Sequence, residues 1–279
     1  MRSRNTNNKL LKPNPYKEIY LQDIRRLKGL TTSNNTRYIR KNWEIRVEKL
    51  SLTKANKHIK DLDLRLTQWI PYLKGAAGKA WIEPVSEIID WSNHGLTVKV
   101  YAQKLYGSYT RTIKNEKYYF CPGVAYSTIG SNFSARIRRY LSVFDVSGSS
   151  VFPKNPRNTT CLMNSKLASE VVSALNPTVN FQDGDVKRLP LFPIESADEI
   201  FDRLDRAFTE HEAARETSVE FRQPAASPWN YAQEWAQQAV DRPAGKPLPE
   251  YEPVYDEPLP TDYVSYAIGV ALGRFGRKS

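Results

Sequence analysis

The sequence predicts an α+β protein: a mixed-sheet domain followed by a helical segment and a proline-rich linker. Three observations predict it. Aromatic and β-branched runs, broken by Gly and Pro, dominate residues 66–155. Between residues 197 and 215, Ile200, Phe201, Leu204, Phe208 and His211 recur at helical spacing on one face. Pro243, Pro247, Pro249, Pro253, Pro258 and Pro260 then fall among acidic residues, a composition that extends the chain instead of packing it.

Taken in order, Tyr16, Ile19, Tyr20, Ile24 and Leu27 predict an incoming amphipathic helix within residues 1–30, which Gly29 would close. Thr31 to Thr36 is a loop by composition, and Arg37 to Arg40 reads as a short strand or a helix start. Gln68 to Tyr72 is an aromatic strand candidate leading into the small, basic loop Lys74 to Lys79. Strand-like runs Glu87 to Trp91 and Leu96 to Tyr101 flank a turn at Ser92 to Gly95. Lys117 to Phe120 is a β-type run stopped by Pro122-Gly123, with Val124 to Ile129 as a partner strand. Ala135 to Arg139 carries three arginines in four positions ahead of the apolar strand Leu141 to Val146. Met163 to Leu175 has helical periodicity and stops at Asn176-Pro177. The expected organisation is therefore a main domain over 31–195, a helical segment over 196–240, a linker over 241–262, and the start of a further helical region over 263–279, apolar and with little after it to bury it.

At 279 residues the chain is long enough for a sizeable core, and no run approaches the roughly 20 apolar residues of a membrane span. Met1 to Asn5 is basic without a following apolar stretch, so it does not read as a secretory signal. Cys121 and Cys161 stand alone, which fits a reducing cytoplasm and disfavours a disulfide scaffold or a cysteine zinc site. Charge is divided along the chain. Residues 1–190 carry 32 Lys and Arg against 14 Asp and Glu, a net of +18; residues 191–279 carry 9 against 16, a net of −7. A basic body of this strength points to a polyanion, and nucleic acid is the first candidate. Candidate contacts are Arg37, Arg40, Lys74, Lys79, Arg111, Lys114, Arg136, Arg138, Arg139, Lys187 and Arg188, interleaved with Trp69, Tyr72, Tyr106, Tyr109 and Tyr118. Such cations neutralise phosphates, while Arg, Asn and Gln can read base edges.

Catalytic patterns are thin. His58, His94 and His211 fall in different elements, and no HExxH, Walker loop or dinucleotide fingerprint occurs. Asn14-Pro15-Tyr16 comes nearest to the Asn-Pro-Pro-Tyr of amino-methyltransferases, but it lacks the second Pro and follows no strand.

A series of blocks is nevertheless specific when read together. These are Gly29-Leu30 with the Thr/Asn loop and Arg37-Tyr38; Trp69-Ile70-Pro71-Tyr72-Leu73-Lys74-Gly75; and Asp90-Trp91-Ser92-Asn93-His94-Gly95. Next come Tyr118-Tyr119-Phe120 with Pro122-Gly123-Val124; Phe144 to Pro153 with its Gly148-Ser149-Ser150; Leu162 to Lys166 with Asn164-Ser165-Lys166; and Leu175-Asn176-Pro177 with Asn180-Phe181-Gln182. A later block, Ser265-Tyr266-Ala267-Ile268-Gly269 with Gly273-Arg274-Phe275, follows in the same order. Together they resemble the target-recognition region of PglX-type adenine-specific DNA methyltransferases of BREX phage-defence systems.

The resemblance implies a mixed-sheet DNA target-recognition domain that docks on duplex DNA. It adds Asn164 and Lys166 to the candidate contacts, with Lys74, Lys79, Arg136, Arg138 and Arg139 foremost. Full-length relatives use S-adenosylmethionine and flip the target adenine. No cofactor, metal or catalytic residue is expected in this chain, whose blocks lack the catalytic half, so it is expected to be inactive alone. Expected partners are double-stranded DNA, a separate catalytic methyltransferase subunit and other phage-defence proteins, with no membrane and a cytoplasmic location. A stand-alone DNA-binding or interaction protein, or a non-functional fragment, is the alternative. Two departures are visible. Gly75-Ala76-Ala77-Gly78-Lys79 lacks an arginine expected at that loop, and the stretch from Pro153 to Leu162 is shorter than usual, which would clip the helix bearing Asn164.

Overall fold

The computed structural model describes residues 27–55, 68–75, 79–126, 133–176, 186 and 188–275. The fold is α+β with mixed sheets, as the sequence predicts, and the sheets are two, of four strands each. Strands β1 (Ile39–Lys41), β2 (Trp69–Leu73), β4 (Glu87–Asp90) and β7 (Val143–Phe144) form one sheet in the order β1-β4-β2-β7. Strands β3 (Trp81–Glu83), β5 (Val124–Tyr126), β6 (Ala135–Arg138) and β8 (Ser150–Val151) form the other in the order β3-β6-β5-β8. The pairs β2–β7 and β3–β6 are parallel and the remaining pairs antiparallel. Every residue of β2, β3 and β5 is buried, and apart from Glu83 in β3 these strands read as apolar runs without alternation.

Helices cover the sheets. A single turn, α1 (Asn35–Tyr38), is capped by the Asn34 side chain, and β1 follows directly, so the segment from Arg37 to Arg40 is half helix, half strand. The structure corrects the expected turn and second strand at residues 92–101. Asn93, His94 and Gly95 take left-handed φ values of 49°, 60° and 72°, and the chain then continues as helix α2 (Ser92–Tyr106). The Trp91 ring lies where a Cβ on Gly95 would be, 2.8 Å away. Only glycine meets both demands, and Val98 and Ala102, four apart, are buried, Val98 in the core cluster of the first sheet.

The run Lys117 to Phe120 is likewise no strand. It is a 3-10 turn (Glu116–Tyr118) that drives Tyr119 into the core, edge-on to Trp91 and Phe144. The helix expected over Met163–Leu175 is two helices, α3 (Pro156–Asn164) and α4 (Lys166–Leu175). Ser165 separates them: its hydroxyl donates to Leu162 O at 2.7 Å and accepts from Ala168 N at 3.1 Å, closing one helix and opening the next.

α5 (Ala197–Ala214) buries Ile200, Phe201, Leu204 and Phe208, the predicted face, against α6 (Trp229–Asp241) and β3. The proline-rich stretch forms no helix or strand until α7 (Pro260–Ala271), yet Leu248 and Tyr251 pack on α6, and Trp235 Nε1 donates to Pro249 O at 3.1 Å. The incoming helix expected at residues 1–30 lies outside the described residues except for 27–30, which are extended. Among the described residues no helix is long and apolar enough to cross a membrane.

Candidate nucleic-acid interface

Three of the sequence blocks and the segment 106–115 converge at one edge of the first sheet. Residues 27–31 run alongside β7 and the turn after it: Leu27 N donates to Ser150 O, Gly29 N to Asp145 O and Leu30 N to Phe144 O, at 2.9–3.2 Å. The approach is too close for any side chain, since a Cβ on Gly29 would stand 1.7 Å from Phe144 O. On the other side, Thr31 N donates to Thr112 O at 2.9 Å and Asn115 Nδ2 to Lys28 O at 2.9 Å. The loop after β2 closes the group, with Gly75 N donating to Ser147 Oγ at 3.2 Å. Tyr106, at the end of α2, joins it through Ser33 Oγ at 3.1 Å.

The Gly148-Ser149-Ser150 feature thus serves as a shaped turn. The Asp145 carboxylate accepts Ser147 N, Gly148 N and Ser147 Oγ at 2.6–2.8 Å and folds the turn back on the sheet.

This edge is rich in cations whose neighbouring carboxylates are occupied. Lys28, Arg37, Arg111 and Lys114 are exposed. Between residues 91 and 126 there are five Lys and Arg but a single acid, Glu116, and that acid pairs with Lys99. Glu87 holds Lys41 at 3.0 Å and Lys74 at 2.8 Å. Desolvation opposes its ionisation, but the two ammonium groups outweigh it and lower its pKa. Asp145 is consumed by its own turn. Among the described residues no ion pair engages Arg37, Arg111 or Lys114. Arg37 lies over Tyr38 and Tyr101, 5.3 and 5.7 Å from the ring centroids, and Arg40 is tied to Thr36 O and Ile39 O.

The arginine-rich strand behaves otherwise. Arg136, Arg138 and Arg139, expected to meet phosphates, are 0%, 2% and 8% exposed. β6 lies inside its sheet with packing on both faces, which buries Ala135, Arg136 and Arg138 and leaves Ile137 half-buried. Arg136 pairs through Nε with the buried Glu83. Arg138 stacks 4.4 Å from the Phe144 centroid and 4.8 Å from that of Phe152, and donates to Ser150 Oγ. Arg139 reaches Asp205 at 2.8 Å and Glu220 at 3.0 Å, joining β6 to the helical segment. Asn164 is also internal. Its side chain accepts from Ala135 N and donates to Ala135 O, both at 2.9 Å, and so extends the end of β6 as a backbone would.

Lys79, Lys166 and Arg188 are exposed, but the described contacts do not join them to the cluster; Lys187 lies outside the described residues. Lys28, which sequence reasoning did not single out, borders the cluster, as does Tyr106, one of the interleaved aromatics. Among the described residues no group of three or more His, Cys, Asp or Glu is placed to hold a metal ion.

No family model matches the chain. It is 32% identical over 183 residues, 63% of its length, to the adenine-specific methyltransferase PglX of Lacticaseibacillus casei (strain Zhang). To the adenine-specific methyltransferase BrxX of Escherichia coli O9:H4 (strain HS) it is 27% identical over 175 residues, 60% of its length. The matches span 15% and 13% of those proteins. These identities establish a PglX-type relationship with adenine-specific methyltransferases, confined to a small part of the relatives' length.

Proposed function

We propose that this chain is the DNA-reading part of a PglX-type adenine-specific methyltransferase of a phage-defence system. It docks on duplex DNA through the edge formed by residues 27–38, 73–75, 106–115 and 145–148. The observation that carries this reading is the set of exposed cations there, Lys28, Arg37, Arg111 and Lys114, whose neighbouring acids are already occupied. In a chain related to adenine methyltransferases, such a cluster suits the phosphate backbone. Lys74, held in place by Glu87, orients a further charge toward the same backbone.

The hydroxyls of Thr31, Ser33 and Ser147 border the cations and supply donors and acceptors for base edges. S-adenosylmethionine chemistry and adenine flipping belong, on this reading, to a catalytic methyltransferase partner. Incubation of the isolated chain with labelled S-adenosylmethionine and DNA is then expected to transfer no label.

The decisive measurement is fluorescence anisotropy of a labelled duplex titrated at rising salt. With about four phosphates neutralised, affinity is expected to fall about 100-fold from 50 to 200 mM salt. Affinity that is indifferent to salt would overturn the proposal.

A further inference from the structure

The structure leaves two helix faces open that match each other in charge and in apolarity. α7 meets the rest of the chain through Tyr266, which packs on Phe221 and Phe275, and through Gly269 against the Phe275 ring. Its opposite side carries Val264, Ile268 and Leu272, spaced by four residues and 59%, 55% and 79% exposed. Three turns of large aliphatic side chains in water form a stripe that soluble proteins usually cover. The surroundings are acidic: five carboxylates and no base stand between Lys246 and Arg274.

α2 presents the counterpart. Leu96 and Val100, one turn apart, are more than half exposed, and Lys104 continues the row. The run containing α2 has five bases and one acid, already paired.

We propose that α7 of one copy packs its apolar stripe on the α2 face of a second copy, and the reverse, in a closed two-fold dimer. Among the described residues nothing covers either face, and α7 does not pack on α2 within one copy. An α7-to-α7 contact would bring two carboxylate-rich segments together, whereas α7 on α2 pairs acid with base. Exchange in both directions covers both faces on both copies and leaves none to propagate a chain. The inference does not depend on DNA binding.

Sedimentation equilibrium of the full chain tests it, with two double variants at exposed positions: Val264→Ser with Ile268→Ser, and Leu96→Ser with Val100→Ser. The wild type is expected to dimerise at micromolar concentration, with the dissociation constant rising about tenfold between low and high salt. Each variant alone sediments as a single copy. An equimolar mixture of the two recovers a dimer, because one intact α7 then meets one intact α2. Unchanged thermal melts show that the variants are folded. A wild type that stays a single copy, association that survives in either variant, or a mixture that fails to recover the dimer would each overturn the proposal.

Discussion

Arg136 and Arg138 leave the same strand two residues apart, and the protein handles the two charges differently. Arg136 shares its burial with Glu83, so removing it strands a carboxylate in the interior. Loss of one partner from such a pair costs about 3–5 kcal/mol. Burial pulls Arg138 down to about 9, against the raising effect of Glu83, and among the described residues its Nε and Nη1 find no hydrogen-bond partner. What holds it is the Phe144–Phe152 pair, a contact worth about 2 kcal/mol when desolvated. Arg138→Met keeps the length, loses that contact and also loses the unmet desolvation, so the net change is expected to stay within about 2 kcal/mol. Urea unfolding of Arg136→Met and Arg138→Met checks the contrast. Equal losses of stability in the two variants would show that Arg138 is compensated as fully as Arg136.

At the scale of elements, α5 was legible because its apolar residues repeat with a single helical period and pack on one neighbour. α2 was not. Its buried residues are few, its outward positions include Leu96, Thr97 and Val100, and its left-handed start resembles a hairpin turn. Tyr118 to Phe120 misled for a related reason, since an aromatic run has the same composition in a strand and in a turn that plugs a core. The Arg136–Arg139 cluster was visible as charge, but burial on both faces of β6 comes from tertiary packing and leaves no local signal.

α5 also contributes a pH response. His211 stacks on Trp229, with ring centroids 6.2 Å apart, and Nδ1 lies 2.9 Å from Ser227 Oγ, beside the Ser227–Asp256 bridge. Burial, with Arg215 adding and Glu212 opposing, lowers its pKa below the ordinary 6.5. The unfolded chain therefore takes up a proton first, and stability is constant above about 6.5 and falls as pH drops below it. His211→Gln is expected to remove this slope. Urea midpoints measured on both sides of pH 6.5 check it; a slope that persists in the variant would assign the effect to other groups.

Over the whole molecule, the +18 body and the −7 remainder make the proposed partners separable by mutation. Net charge alone cannot decide which cations meet DNA, because it counts Arg136, Arg138 and Arg139 with the rest although they are sealed inside. The salt dependence can decide, since each phosphate contact released contributes about 0.9 to the slope of log affinity on log salt. Replacing Arg37, Arg111 and Lys114 by alanine is therefore expected to reduce the slope by about 2.7 if each meets one phosphate. These side chains are exposed and, among the described residues, carry no ion pair, so the fold should survive and the lost affinity should be the same on every duplex sequence. Arg138→Met provides the control: it removes one positive charge from the molecule but none from the docking edge, and the slope should not move. Anisotropy titrations over a range of salt concentrations measure both. A slope that falls as much in Arg138→Met as in a single surface variant would mean that binding responds to total charge, and the docking edge would lose its claim to the phosphates.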